Sequence, residues 1–258
     1  MYQRIKNRFL FALCIALVFI ACNQSDNKGD TTKAADSSGA AKPADTKPTA
    51  TPDAVAAAPN LYKTLADTMG IRILEVNYNP GDSSAPHSHP DYAIYTVAGG
   101  SAAFYGKDGV KMDADMQTGS IMIKPGEIHS VKNTGKAPIK VILFEVTRPM
   151  GKVTADAAMD AAKVAGGLYT VAADTMGIRV LKINYKPGQS STMHAHPDAA
   201  LYVLEPGKME FTGKDGKKMV MDLKAGMAAV TPADTHSVKN IGTTTAKAIL
   251  VEVSRPAK

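Results

Sequence analysis

Residues 80–100 read PGDSSAPHSHPDYAIYTVAGG and residues 119–133 read GSIMIKPGEIHSVKN. Both passages return 107 positions later, as PGQSSTMHAHPDAALYVLEPG over 187–207 and GMAAVTPADTHSVKN over 226–240. The offset holds without a gap from 61–149 to 168–256, and 46 of the 89 paired positions are identical. Most of the chain is therefore one domain written twice. Each copy is long enough to bury a core of its own and too long for a solenoid unit.

Within each copy the apolar period is that of strands. IRILEVNY (71–78) alternates, with Ile71, Ile73, Glu75 and Asn77 on one side and Arg72, Leu74, Val76 and Tyr78 on the other, and a Pro-Gly turn follows. Further short strands are expected over 93–97, 101–105, 121–124, 129–132 and 139–146, separated by GKDG, TG, PGE and NTG turns. Many short strands with Gly-rich turns and no long helix predict an all-β sandwich or small barrel.

All six histidines of the chain fall at repeat-equivalent positions: His87, His89 and His129, then His194, His196 and His236. Packing alone gives no reason for three matched rings in each copy and none elsewhere. His87 and His89 are two apart, so on a strand both rings face one side. His129 follows on another strand behind the PGEI turn. Three converging imidazoles suit a divalent ion such as Fe, Mn, Ni, Cu or Zn. The bland alternative is a set of satisfied structural histidines.

The quoted passages resemble the two motifs of the cupin superfamily, once in each copy, and the chain is similar to a bicupin over nearly all of 61–256. The resemblance implies two tandem β-barrels of the jelly-roll, double-stranded β-helix type. It also implies metal ligation by His87, His89 and His129 and by His194, His196 and His236, with Asn133 and Asn240 ending the second motif. Gly81, Gly99, Gly119 and Gly126 fall on motif glycines, but Ala233 stands where the second copy would have its equivalent of Gly126.

The family's first motif usually adds a Glu. That position holds Tyr92 in one copy and Ala199 in the other, with Asp91 and Asp198 one place earlier and so out of phase with it. Two arrangements are open: a neutral three-His site, which is favoured, or an Asp reaching in from a loop. Asp after Pro is otherwise a common turn residue. Tyr92 either donates to a bound oxygen or packs in the barrel mouth. Glu127 and Asp234 are read as solvated turn residues, Glu145 and Glu252 as partners of Arg72 or Arg179, and the Met residues as gap fillers. No residue is assigned a catalytic role.

The amino terminus is a targeting signal. Residues 1–8 are basic and 9–21 (FLFALCIALVFIA) are apolar, shorter than a spanning helix needs, and Cys22 follows. Phe19-Ile20-Ala21-Cys22 resembles a bacterial lipoprotein signal, which implies a lipidated Cys22 as a membrane anchor in the cell envelope, on the periplasmic or outer-surface side. Residues 23–59 carry almost nothing bulky and apolar and read as a disordered tether. The expected organisation is a signal peptide over 1–21, a tether over 22–59, domains over 60–149 and 168–256, and a linker over 150–167 with one short Ala-rich helix ended by Gly166-Gly167.

The formal charge of +6 drops to +3 once Arg4, Lys6 and Arg8 leave with the signal, which makes no case for nucleic acid. Cys14 and Cys22 are the only cysteines, which excludes a disulfide core, a Cys-rich zinc module and a Cys nucleophile from the domains. No P-loop, GxSxG or HExxH is present. Two classes of function remain: a metal-dependent enzyme acting on a small oxygen-rich or anionic molecule, of dioxygenase or isomerase type, and a non-catalytic module that binds metal or a small ligand. Carboxylate-poor motifs weigh against oxalate chemistry.

Overall fold

The computed structural model describes residues 50–151 and 158–255. The expected signal peptide, Cys22 and most of the tether lie outside the described residues, as do 152–157 of the linker. No helix among the described residues is long and apolar enough to cross a membrane.

The first copy opens with a one-turn helix, α1 (Ala54–Ala57), and continues as β1 (Tyr62–Thr68), β2 (Ile71–Tyr78), β3 (His87–His89), β4 (Asp91–Ala98), β5 (Gly100–Gly106), β6 (Lys111–Met116), β7 (Ile121–Lys124), β8 (Glu127–Asn133) and β9 (Ile139–Val146). The second repeats it: α2 (Ala161–Val164), β10 (Tyr169–Thr175), β11 (Ile178–Tyr185), β12 (His194–His196), β13 (Asp198–Glu205), β14 (Gly207–Gly213), β15 (Lys218–Leu223), β16 (Ala228–Thr231), β17 (Asp234–Asn240) and β18 (Ala246–Val253). The expected strands are all present. β1, β3 and β6, with their equivalents, add to them.

Each copy folds as two antiparallel sheets. In the first, β1-β2-β9-β4-β7 faces β3-β8-β5-β6; in the second, β10-β11-β18-β13-β16 faces β12-β17-β14-β15. The two sheets of a copy remain separate ladders, so the closed barrel implied by the resemblance is realised as a two-layer sandwich. The edge strands β3 and β7 hold only three and four residues.

Between the sheets of the first copy, Leu74, Val76, Tyr78, Tyr92, Ile94, Val141 and Leu143 pack against Ala102 and Val131. The opposite face of the five-stranded sheet is also buried. Ile71, Ile73, Ala93, Ile142 and Phe144 meet their counterparts Ile178, Val180, Ala200, Ile249 and Val251 in one shared cluster. This explains the near-continuous apolar run VILFEV: β9 is covered on both sides. Burial of each large side chain there contributes about 1.5–3 kcal/mol.

Asp198, 2% exposed, ties the copies together. Arg148 of the first copy donates to it at 3.0 Å and Arg255 of the second at 2.5 Å. Its counterpart Asp91 lacks the arginines and keeps only the backbone contact that both copies share, accepting from Gly126 N–H at 2.8 Å as Asp198 does from Ala233 N–H at 3.0 Å.

Composition assigns 50–59 to the tether, but these residues are folded. Asp53 caps α1 by accepting from Val55 N at 3.0 Å, Ala54 is fully buried, and Asp53 pairs with Arg72 at 2.5 Å. Asp160 repeats this, capping α2 and pairing with Arg179 at 2.6 Å. The duplicated unit thus begins upstream of 61 and 168, in a stretch whose Ala-rich composition hides the two matched aspartates. The linker helix α2 ends before Gly166 as expected, and there a Cβ would lie 2.6 Å from the Ala162 carbonyl oxygen.

Candidate metal centres

β3 pairs with β8 so that His87 lies opposite His129 and His89 opposite Glu127. The period of two turns both β3 rings inward, and the ladder brings the third beside them. One ring nitrogen from each of His87, His89 and His129 lies within 4.8 Å of the other two, and the same holds for His194, His196 and His236. In the first cluster His87 meets each of the other rings edge to face and His89 meets His129 tilted, with centroids 4.8–5.1 Å apart. His87 and His194 are fully buried.

The far nitrogens are all engaged. His87 Nδ1 lies 2.8 Å from the Ala85 carbonyl, His89 Nδ1 2.6 Å from Glu145 and His129 Nδ1 3.1 Å from Glu127. In the second cluster the partners are the Thr192 carbonyl at 2.8 Å, Glu252 at 2.6 Å and Asp234 at 3.0 Å. Carbonyls and carboxylates only accept, so each Nδ1 carries the proton and donates it. A ring that is neutral is then left with an unprotonated Nε2. This arrangement of outer acceptors is the one that orients metal-binding histidines, and the donor set fits a divalent ion.

Electrostatics support neutral rings at His87, His194 and His236. Burial, with the neighbouring histidines, pushes His87 down to about 4, and His194 likewise to about 4. Burial also lowers His236. Glu145 is fully buried and is held from the other side by Arg72 Nε at 2.6 Å, so a chain of charges runs from Asp53 through Arg72 and Glu145 to His89. Asp160, Arg179, Glu252 and His196 repeat it. The sequence paired the two Glu with the two Arg but did not show the histidine beyond them.

Glu127 corrects its reading as a solvated turn residue. It shares the inward face of β8 with His129 and accepts from Tyr92, Lys124 and His129. Burial raises its pKa, but those three hydrogen bonds prevail and hold it well below the carboxylate range. The period of two that aligned His87 with His89 would have found it. Tyr92 is 2% exposed, stacks near His89 with centroids 5.1 Å apart, and spends its hydroxyl on Glu127. Burial and the Glu127 carboxylate push that phenol far upward. The second copy has Ala199 and Thr231 where the first has Tyr92 and Lys124, and Asp234 is largely exposed. Asp91 and Asp198 belong to neither cluster.

Gly126, at the turn before β8, sits against the His89 strand, where a Cβ would lie 3.0 Å from the His89 carbonyl oxygen. The second copy accommodates Ala233 at this point. A surface groove of about 430 Å³ beside Gly207, Asp222 and Thr244 lies at the end of β14 away from the His236 pairing, and no histidine lines it.

The family model for the cupin domain matches residues 74–145 and again 181–252, together more than half of the chain. The chain belongs to the cupin family. It is a bicupin, and each match spans both histidine motifs of its copy. Among solved structures the bicupin is similar to AerE from Microcystis aeruginosa, at 13% identity and TM-score 0.53, with 76% of this chain and 98% of that one covered. A variant of oxalate decarboxylase from B. subtilis gives 13% identity and TM-score 0.52, covering 76% and 73%. Salicylate 1,2-dioxygenase from Pseudaminobacter salicylatoxidans gives 13% and 0.50, covering 74% and 76%. At these identities the likeness is one of fold. No curated protein matches the chain.

Proposed function

We propose that the chain binds two divalent ions, one on the Nε2 atoms of His87, His89 and His129 and one on those of His194, His196 and His236. On this reading the first centre acts on a small oxygen-rich or anionic molecule. The observation that carries it is the commitment of all six Nδ1–H groups to acceptors, which leaves the Nε2 atoms as the metal-facing nitrogens, in two sets of three. A divalent ion held there supplies Lewis acidity toward an anionic oxygen ligand.

The protein residues divide the remaining work. Glu145 and Glu252 fix the tautomer of His89 and His196. Glu127 fixes His129 and, through Tyr92 and Lys124, links that ring to a proton donor and a cation at the rim. The second copy has Ala199 and Thr231 in their place, so its centre serves binding while the first carries the chemistry. The dioxygenase and the decarboxylase of like fold show what such sandwiches support in other proteins; the reaction here is assigned only as a class, dioxygenase or isomerase. Cys22 is proposed as the lipidated residue that holds the bicupin at the cell envelope, on the strength of residues 1–22 alone.

Metal analysis of untagged full-length chain tests the central claim. Two ions per chain are expected, falling to one in His89→Ala; retention of two in that variant would refute the assignment. Acyl-chain mass on the amino-terminal peptide, absent in Cys22→Ala, tests the anchor.

A further inference from the structure

The family's carboxylate ligand has no successor at its own position, since Tyr92 is engaged by Glu127 and Ala199 offers no donor. A different strand supplies an oxygen. Tyr62, on β1 and 3% exposed, places its hydroxyl 2.9 Å from His87 Nε2, and Tyr169, equally buried on β10, stands 3.0 Å from His194 Nε2. These two tyrosines are repeat equivalents, 107 positions apart, so the contact is kept in both copies.

We propose that Tyr62 and Tyr169 are the fourth protein donors of the two centres, each binding the ion through its phenol oxygen. This rests on the reading of the histidine clusters as metal sites. Two donors at right angles, each about 2.0–2.1 Å from an ion, are about 2.9 Å apart. The separation observed here therefore suits neighbouring ligands of an octahedral or square arrangement as well as it suits a hydrogen bond.

The local hydrogen bonds point the same way. His87 Nδ1 carries the ring proton, so Nε2 accepts and the Tyr62 hydroxyl must donate to it. The Tyr62 proton being used, the Tyr78 hydroxyl at 3.0 Å donates to the Tyr62 oxygen. In the second copy Tyr185 donates to Tyr169 at 3.1 Å in the same sense. The proton shared between Tyr62 and His87 must leave before both atoms can bind one ion. Coordination releases that proton to solvent and forms metal–oxygen and metal–nitrogen bonds in its place. Tyr78 and Tyr185 keep donating to the oxygen, which stabilises its negative charge. Without a cation, burial keeps both phenols protonated.

The test uses the full chain loaded with Fe(II) and oxidised to Fe(III), read by visible absorption and by proton release during metal titration. The wild type should show a tyrosinate-to-Fe(III) charge-transfer band. Tyr62→Phe should lose about half of it and the double variant Tyr62→Phe/Tyr169→Phe all of it. Both variants should still bind two ions, with affinity at each altered site lowered tenfold or more. Titration of the wild type with Zn(II) near neutral pH should release about two more protons per chain than that of the double variant. Phe keeps the ring packing, and thermal unfolding of the metal-free variants establishes that they fold. Two bound ions with no band and equal proton release would overturn the tyrosine assignment alone. Failure of the wild type to bind metal would overturn the histidine assignment and this one with it.

Discussion

Glu145→Gln reaches the first centre through one buried atom pair. The carboxylate accepts from His89 Nδ1 at 2.6 Å with one oxygen and from Arg72 Nε at 2.6 Å with the other, and no water reaches it. A glutamine has one acceptor and one donor end, so it must confront either Arg72 or His89 with an N–H. If the amide nitrogen faces His89, that ring moves its proton to Nε2 and the lone pair aimed at the ion disappears. If it faces Arg72, a largely buried guanidinium keeps only Asp53. Loss of such an outer partner costs about 10–100-fold in metal affinity, or about 1.4–2.7 kcal/mol. Breaking the buried pair also costs about 3 kcal/mol or more of stability. Calorimetric titration with Zn(II) should show one weakened site and one unchanged, and urea unfolding of the metal-free protein should show the stability loss. First-site affinity within threefold of wild type with stability also unchanged would refute the reasoning, because one of the two partners must lose its acceptor.

Three other outcomes are expected. Asp91→Asn should leave metal affinity within threefold, because Asp91 only accepts from Gly126 N–H; a tenfold loss in the same titration would restore Asp91 as a ligand. Asp198→Asn should lower stability to urea by about 3 kcal/mol, since it leaves the largely buried Arg148 guanidinium facing a neutral side chain, and should leave two ions bound; a change under about 1 kcal/mol would contradict it. Metal-free protein should lose stability as pH falls from 6.5 toward 4. In that interval His87 and His194 bind protons when unfolded but not when folded, each on the order of 3 kcal/mol. Denaturation at pH 7.5, 5.5 and 4 would show a flat profile if the argument were wrong, and bound metal should protect against the loss.

Strand positions were legible wherever one residue type alternated with another, as in IRILEVNY, and the six histidines were legible because nothing else in the chain competes with them. What the sequence hid was set by register between distant strands. Glu145 reaches His89 across 56 positions because β9 lies beside β4 in one sheet while β3 belongs to the other. Tyr62 meets His87 for a similar reason, and an aromatic in a short amphipathic stretch looks like ordinary core. Asp53 was lost in low-complexity sequence, where composition outweighs a single charged residue. Glu127 was different: its period was readable, and the turn chemistry of PGEI drew attention away from it.

The outer faces of the two five-stranded sheets meet through equivalent residues of the two copies. In a pair of identical chains joined this way, any change to that face would strike both partners at once, and every improvement would have to suit both. Joining the copies into one chain removes that condition. Each side of the seam, and each centre behind it, is free to change alone, as when Asp198 takes two arginines while Asp91 has none, and when tyrosine stands at 92 against alanine at 199. A single translation product can then carry two centres that differ in chemistry in fixed one-to-one proportion, which a self-pairing chain cannot do.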